Sequence, residues 1–266
     1  MKVPNIIYED NDMIVCYKPS GMATQTRRIG QQDMESFIRN YRAAKNEPPY
    51  VGIVHRLDQP VEGVMVFAKN QKAAASLSRQ IKEHTTEKYY RAASRGQGVS
   101  GAAVEDEEGS FQDKSAYASK VQGDDKKEDN HDPAWHTLTD YISFDKRTNT
   151  SKITSEKDRL AKKAVLQYRV TSVTPDRDSS QNECIRTEFD IKLLTGRHHQ
   201  IRLQLANIGY PLIGDIKYGK PALNISGTGS KSGRTGGGVR EQLALCSYKI
   251  VFDHPATGER MTFELP

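Results

Sequence analysis

Ile185-Arg186-Thr187-Glu188-Phe189-Asp190-Ile191-Lys192-Leu193 alternates apolar residues or threonine with charged ones. Successive strand side chains point to opposite faces, so the stretch reads as a strand with one dry and one wet face. Ala164, Leu166, Tyr168 and Val170 alternate with Val165, Gln167, Arg169 and Thr171 in the same way. Strands with one wetter face are the mark of an antiparallel sheet. Downstream, the strand ends at Thr195-Gly196. A helix follows from near His198 or His199, with Ile201, Leu205 and Ile208 on one side and Gly209 as its stop. The chain then closes in a hairpin of Tyr248–Phe252, a Pro255–Gly258 turn and Met261–Leu265.

Upstream, Lys88 to Ala93 reads as a strand leaving a helix that Asn70 caps and that lays Ala74, Leu77 and Ile81 on a core. Val64–Ala68 is a short buried strand, and a helix is expected from Asp33 to Ala44. Ile6–Glu9 and Met13–Lys18, joined through Asp10-Asn11-Asp12, form an opening hairpin that Pro19-Ser20-Gly21 breaks. Strands and helices follow one another without strict βαβ alternation. The expected class is α+β, one domain over 1–266 around a largely antiparallel sheet flanked by helices.

Two stretches depart from this pattern. Between about 97 and 135 apolar residues thin out and mixed-charge runs appear, such as Glu105-Asp106-Glu107-Glu108; this reads as a surface insertion, with regular structure resuming at Ala164. Residues 224–238 are Gly/Ser-rich with Lys231 and Arg234, a flexible basic loop.

Composition excludes some classes. With 36% hydrophobic and 27% charged residues, and no run near the ~20 apolar residues that span a bilayer, no membrane segment is expected. Met1-Lys2-Val3-Pro4-Asn5-Ile6 carries no signal-peptide pattern. Three separated cysteines, Cys16, Cys184 and Cys246, read as buried reduced thiols of a cytoplasmic protein. A net charge of +5 permits a polyanionic partner without demanding one, so function must come from local constellations.

Three constellations carry chemistry. Gly52-Ile53-Val54-His55-Arg56-Leu57-Asp58-Gln59-Pro60-Val61-Glu62-Gly63 places a His-Arg-x-Asp cluster on a loop before a buried strand, although an Arg56–Asp58 surface pair would read the same way. Leu193 to Arg202 puts Arg197, His198, His199, Gln200 and Arg202 at a strand-to-helix turn suited to an anion, catalytic or not. His198 and His199 are adjacent and cannot share a metal on one helix face, so no metal is expected. In Lys88-Tyr89-Tyr90-Arg91-Ala92, residues 88, 90 and 92 share a face. Such a face can meet phosphates and bases or simply pack.

Taken in order, these strings resemble the RluA-type pseudouridine synthases. His55-Arg56-Leu57-Asp58 with Gly63 resembles the family's catalytic motif, and Lys88-x-Tyr90-x-Ala92 its second. Thr195-Gly196-Arg197-x-His199-Gln200-Ile201-Arg202, with Gly209, Pro211, Leu212, Gly214-Asp215 and Tyr218-Gly219, resembles the third. Lys18-Pro19-Ser20-Gly21 is similar to its opening, and Leu243-Ala244-Leu245 through His254-Pro255-x-Thr257-Gly258 to its close. Val61-Glu62 departs from the small hydroxyl residues usual before the glycine. The chain starts at the hairpin, so the S4-type RNA-binding domain of many relatives is expected to be absent.

The resemblance implies a pseudouridine synthase fold with an active-site cleft across the sheet and isomerisation of uridine in structured RNA, ribosomal or transfer, without a cofactor. It implies Asp58 as nucleophile, Arg197 as its ion partner and Tyr90 against the target base. Arg56 would fill the space of the flipped base, and His55, Lys88, His199, Gln200 and Arg202 would contact RNA. No obligate protein partner is implied, and a monomer is expected. The alternatives are a non-catalytic RNA-binding or RNA-folding protein on the same scaffold and, more remotely, a metal hydrolase using His55, His198 and His199.

Overall fold

The computed structural model describes residues 4–26, 28, 30–96, 135–177, 183–219 and 241–266. The expected insertion at 97–135, apart from Trp135, and the loop at 224–238 lie outside the described residues.

The elements are β1 (Asn5–Glu9), β2 (Met13–Lys18), α1 (Met34–Ala44), β3 (Gly52–Ile53), β4 (Glu62–Ala68), α2 (Gln71–Lys82), β5 (Glu87–Gly96), β6 (His136–Asp145), β7 (Thr150–Thr154), β8 (Lys162–Arg177), β9 (Glu183–Leu193), α3 (Gln200–Asn207), β10 (Leu245–Asp253) and β11 (Arg260–Glu264). The strands join in one sheet of order β1-β2-β4-β10-β5-β9-β8-β6-β7, with β11 on β10 and β3 on β4. Every pairing is antiparallel except β4 with β10. The α+β expectation holds.

β2 and β4 are buried on both faces. Ile14, Cys16, Met65 and Phe67 join α1's Met34 and Ile38 in one cluster; Met13, Val15, Val64 and Val66 join α2's Ala73 and Leu77 in another. That is why Val64–Ala68 is continuously apolar rather than alternating. Both helix starts form as expected. Asp33 and Ser36 make reciprocal capping bonds, and Asn70 accepts the Ala73 N–H.

Gly63 fixes how the central strands meet. Its φ is +138°, and a Cβ there would lie 2.2 Å from the Ser247 carbonyl oxygen. Only glycine lets β4 approach β10 so closely. Ser247 in turn pairs with Tyr90 on β5, so the end of the Asp58 loop and Tyr90 lie one strand apart.

Four expectations are corrected. Regular structure resumes at His136, not Ala164: β6 and β7 form a hairpin at the sheet edge. Its residues are mostly half-buried or exposed, so the apolar alternation that reveals β8 and β9 is faint. α2 lays Leu77 and half-buried Ala74 on the core as expected but also buries Ala73 and Gln80, while Ile81 turns to the cleft; the Gln80 amide both donates to and accepts from the Asp253 backbone. α3 is buried from Gln200 through Leu205 rather than along one stripe. Its polar members are hydrogen-bonded, Gln204 to Asp140 and Arg202 to Asp215. Cys246 is half-buried, and no disulfide forms among the described residues.

Candidate active site

Asp58 projects from the β3–β4 loop, which is bonded to the 18–24 turn on both sides of it. Before it, Thr24 Oγ1 donates to the Leu57 carbonyl at 2.9 Å and accepts the Leu57 N–H at 3.2 Å. After it, the Gln59 carbonyl accepts the Lys18 ammonium at 3.1 Å and the Gly21 N–H at 2.9 Å, and Ser20 donates to Pro60. Leu57 and Val61 anchor the loop in the core. Lys18 is fully buried, and its ammonium also reaches the Pro19 and Met22 carbonyls. Burial pulls Lys18 down to about 8, against the opposing pull of Asp58 and Glu62.

The facing wall is the turn from β9 into α3. Gln200 organises it: its Oε1 accepts Thr195 Oγ1 at 2.8 Å and the Arg197 N–H at 3.0 Å. His199 occupies the cap position in the left-handed region, φ +54°. One turn on, Arg202 makes a bidentate pair with Asp215, 2.7 Å on each branch, and its Nη1 lies 3.6 Å from Asp58 Oδ2. His199 Nε2 lies 3.5 Å from the same oxygen.

Between the walls is a cleft of about 590 Å³, into which Asp58, Tyr90, Lys88, Arg56, Arg197 and His199 all open. The Asp58 side chain keeps 31% of its surface open, while Arg202 keeps 4% and Asp215 none. Burial raises the Asp58 carboxyl above the ordinary range; Arg202 and His198 oppose the rise. Burial pushes Asp215 up, but the Arg202 fork outweighs it and holds that carboxyl low. Burial, with Arg202 beside it, holds His199 neutral, down to about 3. Burial raises the Tyr90 phenol and lowers the Lys88 ammonium.

The cluster expected from the sequence is therefore assembled, with one partner exchanged. Arg197 does not pair with Asp58; its Nε donates to the Lys163 carbonyl at 2.9 Å, outside the helix. Arg202, expected to contact RNA, is the arginine beside Asp58, because it lies inside the helix on the face that lines the cleft. Gln200 is buried and spent on its own turn. His55 faces the cleft, but its Nε2 accepts the Val66 N–H at 3.1 Å, tying the loop to β4. Burial and then Lys88 hold it neutral, down to about 3. Arg56 is exposed and donates to Gln25 at 2.8 Å.

Sequence reasoning passed over Lys18, Thr24, Asp215 and Tyr218 as site residues. Lys18, Asp215 and Tyr218 stand in the strings that carry the resemblance, but no local spacing links any of the four to Asp58. His55, His198 and His199 do not come together as metal ligands; the described group of that kind is Asp10, Asp12 and His254. There Asp10 is engaged by His254, by Tyr8 and by the Asp12 and Met13 amides. Among the described residues no helix is long and apolar enough to cross a membrane.

The family model for RNA pseudouridylate synthases matches residues 12–207. The uncharacterized RNA pseudouridine synthase YhcT of Bacillus subtilis is 28% identical over 264 residues, 98% of this chain and 68% of that protein. Ribosomal large subunit pseudouridine synthase D of Neisseria meningitidis is 26% identical over 98% of this chain, which spans 58% of that protein's length; the Vibrio cholerae protein of the same name is 28% identical, with 67% of its length spanned. The solved structure of human RNA Pseudouridylate Synthase Domain Containing 1 shares the fold at TM-score 0.62 and 21% identity, over 99% of this chain and 83% of that one. With that match over most of its length, the chain belongs to the RNA pseudouridylate synthase family, isomerases that convert uridine in RNA to pseudouridine.

Proposed function

We propose that this chain isomerises a uridine in structured RNA to pseudouridine, with Asp58 as the nucleophile. The observation that carries the reading is the half-open Asp58 carboxylate facing the buried Arg202 across the cleft. In the reaction the C1′–N1 bond breaks, the uracil turns, C5 bonds to C1′, and the C5 proton moves to N1 through an acceptor or solvent. Nothing is oxidised or transferred to a second molecule, so the chemistry requires no cofactor.

The residues divide the work. Asp58 must be ionised to attack, and burial beneath a base works against that. Arg202 is suited to oppose it, because a guanidinium remains charged when buried and its fork is already held by Asp215. The uridine must leave its stack, at a cost of roughly a few kcal/mol. Arg56, exposed at the cleft, is placed to stack in the vacated space. Tyr90 packs against the base; its raised phenol favours that role over taking the C5 proton. Lys88 and Arg197 supply charge for phosphates. The names of the relatives make ribosomal RNA the first substrate to test and transfer RNA the second. We place the reaction in the cytoplasm, carried out by a monomer without an obligate protein partner.

The test compares wild type with Asp58→Asn on purified ribosomal and transfer RNA, reading pseudouridine by mass spectrometry and RNA binding by filter retention. Wild type is expected to form product, and the variant to bind RNA but form none. Near-normal product from the variant would remove Asp58 as nucleophile. Rescue of a deletion strain by both proteins alike would instead support a non-catalytic RNA-folding role.

A further inference from the structure

His199 stands between Asp58 and Tyr218. Its Nε2 faces Asp58 Oδ2 at 3.5 Å, and its Nδ1 lies 2.9 Å from the Tyr218 hydroxyl. The Tyr218 oxygen already accepts the backbone N–H of Ser151 at 2.8 Å, so its own proton is available to His199 Nδ1. A neutral imidazole has one donor and one acceptor nitrogen. If Nδ1 accepts, the proton sits on Nε2, toward Asp58.

The ring is held from several sides. Its residue is 8% exposed and has a φ of +54°, a region that residues other than glycine seldom enter. The His198 ring stacks on it at 3.7 Å. His198 is fixed in turn by Ser151 Oγ at 2.9 Å and by the Phe144 ring at 4.2 Å. Ser151 and Phe144 belong to the β6–β7 hairpin, so the edge of the sheet reaches Asp58 through this chain of contacts.

We propose that His199 and Tyr218 are positioning residues for Asp58: a neutral imidazole whose tautomer Tyr218 sets, and whose Nε2–H donates to the carboxylate when RNA closes the cleft. The inference rests on Asp58 being the nucleophile. At 3.5 Å the contact is longer than a formed hydrogen bond, and such bonds commonly tighten only with substrate present. A neutral donor here holds the carboxylate's orientation and favours its ionised form without adding a second formal charge. The other groups facing Asp58 are Arg202 from α3, His198 from the turn before it, Lys217 and Tyr218 from the turn after Asp215, Lys18 from β2 and Tyr90 from β5.

Tyr218→Phe removes one hydroxyl and keeps the ring that packs edge-on against His199. The expected result is a kcat for pseudouridine formation lower by about tenfold, the upper end for one hydrogen bond between neutral groups, with KM for RNA unchanged. The acid limb of the kcat profile should move to higher pH, because losing a donor makes the carboxylate easier to protonate. A merely structural tyrosine would lower thermal stability and leave the limb in place. His199→Asn tolerates the left-handed backbone but cannot span from Tyr218 to Asp58. It should move the limb the same way, and the double variant should add nothing. An unmoved limb in either variant, or additive effects, would overturn the proposal. If Asp58→Asn is inactive while the limb stays put, only this inference fails; an active Asp58→Asn removes the reading beneath it.

Discussion

The two walls of the cleft are built on opposite plans. The Asp58 loop carries its charge half-open, and its backbone is secured from outside by Thr24, Lys18, Gly21 and Ser20. The turn into α3 hides its charge: Arg202 is buried and already paired with Asp215, and the turn is closed from within by Gln200. The cation is fixed before substrate arrives, whereas the carboxylate stays accessible. A buried charge left without its partner is expensive, so the first wall can lose its charge cheaply and the second cannot.

The largest effect should come from breaking the second wall. Arg202→Met leaves Asp215, whose side chain is wholly buried, without its cation, and should cost about 3–5 kcal/mol in urea unfolding. Arg197→Ala, which removes a guanidinium outside the helix, should stay within about 0.5 kcal/mol. Equal losses would undo the exchange of partners described above. On the first wall, Thr24→Val leaves the buried Leu57 N–H unsatisfied and should cost about 1–3 kcal/mol, with kcat falling as the loop loosens.

The smallest effect has the opposite sign. The Asp58 carboxyl is raised in the fold, so its contribution is fully present below the unfolded value of ~3.9 and is lost as pH rises through the folded one. At neutral pH the ionised Asp58 therefore weakens the fold. Asp58→Asn should melt at or above the wild-type temperature at pH 7, and the two should converge as pH falls through 4. A lower melting temperature at pH 7 would mean that Arg202 and His198 already outweigh burial.

The same contrast separates what could be read in the chain from what could not. Asn70 starts its helix and Gly209 stops the next through bonds to near neighbours, and β8 and β9 show their faces by strict alternation. Those features are local and were legible. The β6–β7 hairpin was not, because an edge hairpin needs little apolar surface. Asp58, Tyr90 and Lys88 were legible as members of an ordered set of motifs. The choice between Arg197 and Arg202 was not, since only four residues separate them, one just before the helix and one inside it.

The sequence alone determined the opening and closing hairpins, the alternating strands β8 and β9, the three helices, the Asn70 cap and which motifs occur in what order, because each depends on residues within a turn or two of one another. Tertiary structure decided the rest. The close passage of β4 against β10 at Gly63, the Arg202–Asp215 pair beside Asp58 and the hold of Tyr218 on His199 all join groups far apart in the chain. Their energies depend on distance and burial in space, which no local pattern encodes.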